Sequence, residues 1–193
     1  MRWLENVRLW LSNIGSNKRA NANETRATSH ITDMATREFL AFAKASEKAK
    51  VQYLILGGAN LTFRGLARIT YDIDIWVNPT AENMKALERC LISLGYKELE
   101  TLRDYMPPAP RFWHISGPID IMTVCHQAFD FQSCYNRRSD IVFEGQILPL
   151  MHILDVKDLK LRARRDQDYR DAILIDNFLR AHGQPTEWPD GQA

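Results

Sequence analysis

The sequence predicts an α+β protein, with a mixed central sheet flanked by helices and a helical C-terminal third. Short apolar runs bounded by glycine, proline or aspartate predict buried strands, and VQYLIL at 51–56 is one of them. Longer stretches with apolar residues at helical spacing separate these runs. The last two stretches, at 153–164 and 167–181, have no strand after them and predict a pair of closing helices.

Composition narrows the class of protein. The chain has 193 residues, enough for one domain with a real core, and its 45% hydrophobic and 25% charged residues are typical of globular proteins. A net charge of +1 provides no global basic field for nucleic acid. No apolar run approaches the roughly 20 residues of a membrane span, so we expect no membrane partner. Three cysteines without metal spacing, and no signal peptide at the N-terminus, predict reduced thiols in the cytoplasm.

Residues 1–30 predict an N-terminal amphipathic helix followed by a linker. Within 2–14, large apolar side chains recur at helical spacing. This stripe suits packing on its own domain, and it also suits a homodimer or a helical partner protein. Residues 15–30 carry almost no large apolar residue, which is typical of a linker. The domain proper is predicted over 31–182, and 183–193 is predicted to be a flexible tail.

Within the domain, the same signals place the elements in order. A helix is predicted from Ile31, and Gly57-Gly58 ends the first strand and opens a short helix. The remaining predicted elements are a strand at 72–77, a helix from Pro79 through Leu94, strands at 96–102, 111–115 and 119–124, a helical stretch at 126–138, and a hairpin at 140–150 around Glu144-Gly145.

Two aspartates interrupt the apolar strand at 72–77. Asp72 and Asp74 alternate with isoleucines, so both carboxylates face one side of a strand with Cα atoms roughly 6.6 Å apart. Two ionised carboxylates this close repel each other unless a cation lies between them. Carboxylates that share a site with substrate phosphates suit Mg²⁺. The alternative is that both acids project into solvent from an edge strand.

A third aspartate, Asp120, lies in the apolar run IDIMTV at 119–124. An ionised carboxylate in such a strand is expensive without a cation or hydrogen bonds. A salt bridge with Arg111 or His114 would also explain it. If this strand lies beside 72–77, three acids converge, which is enough to hold two divalent ions around a phosphoryl group.

The glycine pair supplies a second half to such a site. Glycines between a strand and a short helix let backbone N–H groups approach an anion closely. Gly57-Gly58 alone is a weak signal, because many strands end in glycine. Its combination with the paired acids downstream and Asp120 in a later strand is much more specific.

These motifs resemble the nucleotidyltransferase superfamily typified by DNA polymerase β, and most of all its small prokaryotic branch, the minimal or AbiEii-like nucleotidyltransferases. The signature GG…(H/R)G…R-x-T-x-D-[ILV]-D is matched by Gly57-Gly58-Ala59, Arg64-Gly65 and Arg68-Ile69-Thr70-Tyr71-Asp72-Ile73-Asp74. A later helix of many relatives carries a pattern matched by Lys160, Arg165, Asp168 and Asp171. The resemblance covers roughly residues 50–180.

The resemblance implies a nucleotidyltransferase fold that uses Mg²⁺ or Mn²⁺ to move a nucleoside monophosphate from a nucleoside triphosphate to a hydroxyl acceptor. It implies that Asp72, Asp74 and Asp120 are both the catalytic residues and the metal ligands. It assigns binding of the nucleotide to Gly57, Gly58, Asn60, Arg64, Arg68 and Lys160. Lys160 would contact the pyrophosphate side; the alternative for its charged helix is a solvated face with i,i+4 ion pairs.

Two positions depart from the family pattern. Many members have Ser or Thr after the glycine pair, where this chain has Ala59, and Asn60 is the neighbour that would compensate. Many have His where this chain has Arg64, which keeps a cation but carries no exchangeable proton at neutral pH. The Ala59 departure favours an alternative function, a catalytically degenerate binding module.

The sequence does not identify the hydroxyl acceptor. Relatives include toxin–antitoxin components that modify tRNA ends or partner proteins, and antibiotic-adenylating enzymes, so the resemblance implies a protein, tRNA or small-molecule acceptor. Aromatic residues around the MPPAP loop would suit a small acceptor, namely Tyr105, Phe112 and Trp113. A third alternative is a partner-binding domain in which the acids have no metal role.

Overall fold

A computed structural model of the protein describes residues 22–68, 70, 72–96, 112–115 and 119–189. Several predictions fall outside these residues. They are the N-terminal helix at 2–14, the linker over 15–21, the strand at 97–102, the end of the tail at 190–193, and the side chains of Tyr105, Arg111, Phe112, Trp113 and His114.

The described residues form six helices and six strands. In chain order these are α1 (Ala22–Ala49), β1 (Tyr53–Ile55), α2 (Gly57–Phe63), β2 (Ile73–Val77), α3 (Ala81–Ser93), β3 (Phe112–Ile115), β4 (Ile119–Met122), α4 (Phe131–Asn136), β5 (Ser139–Phe143), β6 (Gln146–Leu150), α5 (Ile153–Ala163) and α6 (Asp166–Ala181).

The strands form one mixed sheet in the order β3-β4-β2-β1-β6-β5. The central pairs combine both directions, since β1 is antiparallel to β2 while β2 is parallel to β4 and β1 to β6. The two outer pairs, β3 with β4 and β5 with β6, are antiparallel. The predicted α+β class, with a mixed central sheet flanked by helices and a helical C-terminal third, is confirmed.

Side-chain alternation gives each face of the sheet its own core. On one face, Ile55, Ile75 and Ile121 pack against α1 and α3. On the other face, Leu54 and Trp76 pack against α4, α5 and α6. Even-numbered positions of β2 therefore face the C-terminal helices, and this is the face on which Asp72 and Asp74 fall.

Helix α1 begins earlier than the predicted Ile31. It starts at Ala22, so residues 22–30 of the expected linker are helical. These residues include neither glycine nor proline, the two residue types that most disfavour the interior of a helix. Their lack of large apolar residues indicated a linker, but it argues only against a helix with an apolar face to bury and not against a helix as such.

The helical stretch predicted at 126–138 is shorter, because α4 covers only Phe131–Asn136. Asp130 sets its start, since its carboxylate accepts a hydrogen bond from Ser133 N at 2.8 Å. Helix α5 ends at Ala163, where Arg164 takes a left-handed conformation with φ 58°.

The C-terminal segment packs on the domain through residue 188, unlike the flexible tail predicted from 183. The Trp188 ring lies 4.5 Å from the His152 ring, and the Arg137 guanidinium lies 5.4 Å from the Trp188 centroid. Lys157 Nζ donates to Thr186 O at 2.9 Å. An aromatic contact and a side-chain bond to the backbone explain why these polar-looking residues are held.

Within the described residues, no helix has the length and apolar character needed to cross a membrane. All three cysteines are free thiols, and Cys90 and Cys134 are buried.

Candidate metal and triphosphate site

Strand register brings the three aspartates together. β2 and β4 run parallel with Asp74 directly opposite Asp120, and neighbouring strands lie roughly 4.8 Å apart. Asp72 lies two positions before Asp74, so its side chain is on the same face. One carboxylate oxygen from each of the three lies within 4.8 Å of the other two. The condition that the two strands be neighbours is therefore met.

The three carboxylates suit a divalent cation. The pKa of Asp74 is raised from 3.8 to about 6, first by burial and then by the negative charges of Asp72 and Asp120, against the opposing charges of Lys160 and Arg165. Asp72 is exposed, whereas Asp74 and Asp120 are partly buried, and a divalent cation would relieve the repulsion between three carboxylates this close. Oxygen ligands in such a group match the preference of Mg²⁺ and Mn²⁺. The residues present thus fit the ion that the family resemblance implies.

The glycine pair lies against the acids and leaves no room for a side chain. Gly57 has a φ of 61°, which favours glycine, and a Cβ there would collide with Asp74 Oδ2. Leu56 N, just before the pair, donates to Asp74 O at 2.9 Å. A Cβ on Gly58 would lie 2.8 Å from Thr70 Oγ1. The backbone of the pair is therefore a direct neighbour of the acid cluster.

Two side chains from the segment between α2 and β2 lie beside the glycine pair and the acids. Thr70 Oγ1 donates to Asp72 Oδ1 at 2.8 Å, which orients that carboxylate. The Arg68 guanidinium lies close to Gly58, with Cζ 3.7 Å from the position of a Cβ on that glycine. Arg68 thus places a cation beside the glycine pair, and its role in binding a nucleotide stays a prediction.

Lys160 lies in a buried ion network and not on a solvated face. Its Nζ is 3.0 Å from Asp168 Oδ1 and 2.9 Å from Asp171 Oδ2, and both acids are buried. Arg68 Nε donates to Asp171 Oδ1 at 2.9 Å, and Arg165 Nε donates to Asp168 Oδ2 at 2.6 Å. We call these five residues the Asp171 network. The alternative of a solvated face is therefore wrong for Lys160, although α5 does carry an exposed i,i+4 pair between Asp158 and Arg162.

The charges of the network reach the acid cluster. Burial raises the pKa of Asp168, but the hydrogen bonds from Arg165 and Lys160 outweigh it and hold that pKa at about 2. Lys160 and Arg165 also lower the pKa of Asp74, against the effects that raise it. Two cations of the Asp171 network therefore act electrostatically on one of the three aspartates, Asp74.

Asn60 and Arg64 have structural partners. Asn60 is fully buried, and its Nδ2 donates to Ile55 O at 2.8 Å and to Met151 O at 2.9 Å. Arg64 Nε donates to Asn60 Oδ1 at 2.9 Å, and its Nη2 donates to Met151 O at 2.9 Å. Both side chains tie α2 to the chain after β6. Asn60 has no exposed surface with which to contact a phosphate, so its predicted role as a nucleotide ligand does not fit its position.

Ala59 is also buried, and it packs in the apolar core between the sheet and α1. A hydroxyl at this position would enter that core and not the face of the glycine pair that meets Asp74. The absence of Ser or Thr after the glycine pair therefore removes no exposed ligand from this chain.

No protein-family model matches this chain, and no curated protein matches it at a significant level. The resemblance to nucleotidyltransferases stays a hypothesis supported by the motifs and by the geometry of the site.

Sequence reasoning assigned no role to Thr70, Arg165 or Asp171 beyond their match to a motif. The Thr-x-Asp spacing was a usable signal for Thr70, since a hydroxyl two residues from a carboxylate can donate to it. The contact between Arg68 and Asp171 joins residues far apart in the chain, and no local pattern indicates it.

Proposed function

We propose that the protein is a Mg²⁺-dependent nucleotidyltransferase that moves a nucleoside monophosphate from a nucleoside triphosphate to a hydroxyl acceptor. The observation that carries the proposal is the convergence of Asp72, Asp74 and Asp120 against the glycine pair. A divalent ion and a triphosphate need these two features side by side: carboxylate oxygens for the ion, and a side-chain-free backbone for the phosphates.

The proposed roles follow from the positions of the side chains. Asp72 and Asp74 would hold the ion against the triphosphate, and a bound divalent ion supplies neutralisation of phosphate charge. Asp120 would accept the proton of the acceptor hydroxyl. The acceptor oxygen forms a bond to the α-phosphorus, the bond from that phosphorus to the bridging oxygen breaks, and pyrophosphate leaves. Positioning and electrostatics suffice for this reaction, so no covalent nucleophile on the protein is needed.

The buried position of Ala59 supports activity over the degenerate alternative, because the family departure there does not touch the site surface. All three acids are retained. The proposal includes a cytoplasmic location, where reduced thiols and nucleoside triphosphates occur together, and all three cysteines are free.

The test is transfer of label from α-labelled ATP, GTP, CTP or UTP with Mg²⁺ or Mn²⁺. The acceptor arms are total tRNA, cell-lysate protein, and aminoglycosides with lincosamides, which also separate a toxin–antitoxin role from an antibiotic-modifying one. We expect transfer to one arm, lost in Asp74→Ala and in Asp120→Ala. Asp158→Asn is the matched control, because Asp158 is an exposed partner of Arg162 on α5.

Calorimetry with the four nucleotides distinguishes the alternatives. Divalent-dependent nucleotide binding without transfer in any arm would support the degenerate binding module. If the protein shows no divalent-dependent nucleotide binding at all, the enzyme and the nucleotide-binding module are both wrong, and a partner-binding domain remains.

A further inference from the structure

The Asp171 carboxylate is the centre of the ion network, and nothing in the proposed chemistry requires it. Only 1% of its side chain is exposed. Its Oδ1 accepts hydrogen bonds from Arg68 Nε at 2.9 Å and from Gln167 Nε2 at 2.8 Å. Its Oδ2 lies 2.9 Å from Lys160 Nζ. Burying this carboxylate costs free energy of folding, which favours a role for Asp171 beyond stabilising the fold.

Helix α6 does not need Arg68 to stay in place. Its apolar side Ala172, Ile175 and Leu179 is buried. Two further ion pairs join it to α5, Asp168 with Lys160 and Asp176 with Lys157. The contact between Asp171 and Arg68 instead connects α6 to the irregular segment between α2 and β2, and that segment borders the glycine pair.

We propose that Asp171 is a positioning residue that aims the Arg68 guanidinium at the phosphates of the nucleoside triphosphate. The inference rests on the proposed function. Arg68 belongs to a segment without helix or strand, and a long arginine side chain that is not held loses rotamer entropy when it binds a ligand. The bond from Nε to Asp171 fixes the plane of the guanidinium before the ligand arrives, beside the glycine that would meet the phosphates.

Charge supports the same assignment. Arg68, Lys160 and Arg165 give the network three cations against the two carboxylates of Asp168 and Asp171, so it keeps one net positive charge. Arg68 holds part of that charge at the surface, since 23% of its side chain is exposed. A guanidinium fork matches phosphate oxygens better than an ammonium does.

The experiment measures the affinity of the full chain for inorganic tripolyphosphate with Mg²⁺, by calorimetry, and separately for Mn²⁺ alone. Tripolyphosphate isolates phosphate binding from base and acceptor. We expect Asp171→Asn and Arg68→Ala each to weaken tripolyphosphate binding about tenfold, the loss of one charge-assisted contact, and to change Mn²⁺ affinity less than about twofold. The double variant should bind no more weakly than Arg68→Ala alone, because Asp171 acts through Arg68.

Asp176→Asn is the matched control, with the same substitution on the same helix and a broken ion pair to α5. It should lower thermal stability slightly and leave tripolyphosphate binding unchanged. If Asp171→Asn does not fold, Arg68→Lys replaces it, since lysine keeps the charge and loses the held fork; the same tenfold loss is expected.

Two results would overturn the inference. Unchanged tripolyphosphate affinity in a folded Asp171→Asn or Arg68→Lys protein would leave Asp171 with a structural role only. A wild-type protein that does not bind tripolyphosphate would remove the proposed function as well, and this outcome is distinguishable because it appears before any substitution.

Discussion

Asp74 should destabilise the metal-free protein at neutral pH, so Asp74→Asn should stabilise it. The pKa of Asp74 rises from 3.8 to about 6 because of burial and the charges of Asp72 and Asp120. One pKa unit is about 1.4 kcal/mol, which sets an upper end of about 3 kcal/mol. Asp74 keeps some contact with solvent, so we expect about 1–3 kcal/mol, or 2–12 °C in melting temperature.

The upward direction of the Asp74 pKa shift predicts how the stability of the folded chain depends on pH. Because the pKa of Asp74 is higher in the folded than in the unfolded chain, the folded chain binds more protons between pH 4 and pH 6. Its stability therefore falls as pH rises through this window, and the penalty is full above about pH 6. The advantage of Asp74→Asn should be largest at pH 7.5 and should vanish at about pH 4.

The assay is thermal unfolding in EDTA at pH 7.5 and pH 4, repeated at pH 7.5 with Mg²⁺. We expect Mg²⁺ to stabilise the wild type more than Asp74→Asn, because the ion binds the folded site. Asp158→Asn, an exposed acid, serves as the control and should show neither effect. A variant Asp74→Asn that is less stable than the wild type in EDTA, or an advantage independent of pH, would refute the reasoning.

Three further substitutions test single contacts. Gly57→Ala should weaken Mn²⁺ binding at least tenfold in calorimetry, because the added Cβ displaces Asp74. Gly183 has a φ of 65° and no atom within 4 Å of an added Cβ, so Gly183→Ala should share only the backbone strain. Equal Mn²⁺ affinities of the two variants would contradict this. Thr70→Val should weaken Mn²⁺ binding about fivefold with little change in melting temperature, since it removes one donor to a carboxylate. Asn60→Ala should lower the free energy of unfolding by about 1–3 kcal/mol in urea titrations and leave tripolyphosphate affinity unchanged. Weaker tripolyphosphate binding without a loss of stability would instead show that Asn60 contacts the phosphates.

The sequence predicted the sheet because its strands are short apolar runs with clear ends. Period-two alternation predicted that Asp72 and Asp74 share a face, and the structure agrees. The meeting of Asp74 with Asp120 depended on β2 and β4 being neighbours. Pairing between distant strands follows from packing of the whole domain. The sequence therefore predicted that the three acids converge only if these two strands are neighbours.

Three residues are more buried than their surroundings in the sequence indicate, because local polarity does not specify burial. Lys160 lies among charges at helical spacing, which indicates a solvated face, yet helix α6 covers it. Asn60 is polar and next to the glycine pair, but its amide satisfies two backbone carbonyls inside the domain. Trp188 lies in a tail rich in proline and glycine, and it is held by tertiary contacts with His152 and Arg137.

The most direct test of the central claim compares two labels on one nucleotide. With the nucleotide and acceptor that give transfer, the α-labelled triphosphate should label the acceptor, while the γ-labelled one should release labelled pyrophosphate and leave the acceptor unlabelled. Asp120→Asn should abolish both signals and keep the fold. Label transferred from the γ-position, or transfer that persists in Asp120→Asn, would contradict nucleotidyl transfer by the three aspartates.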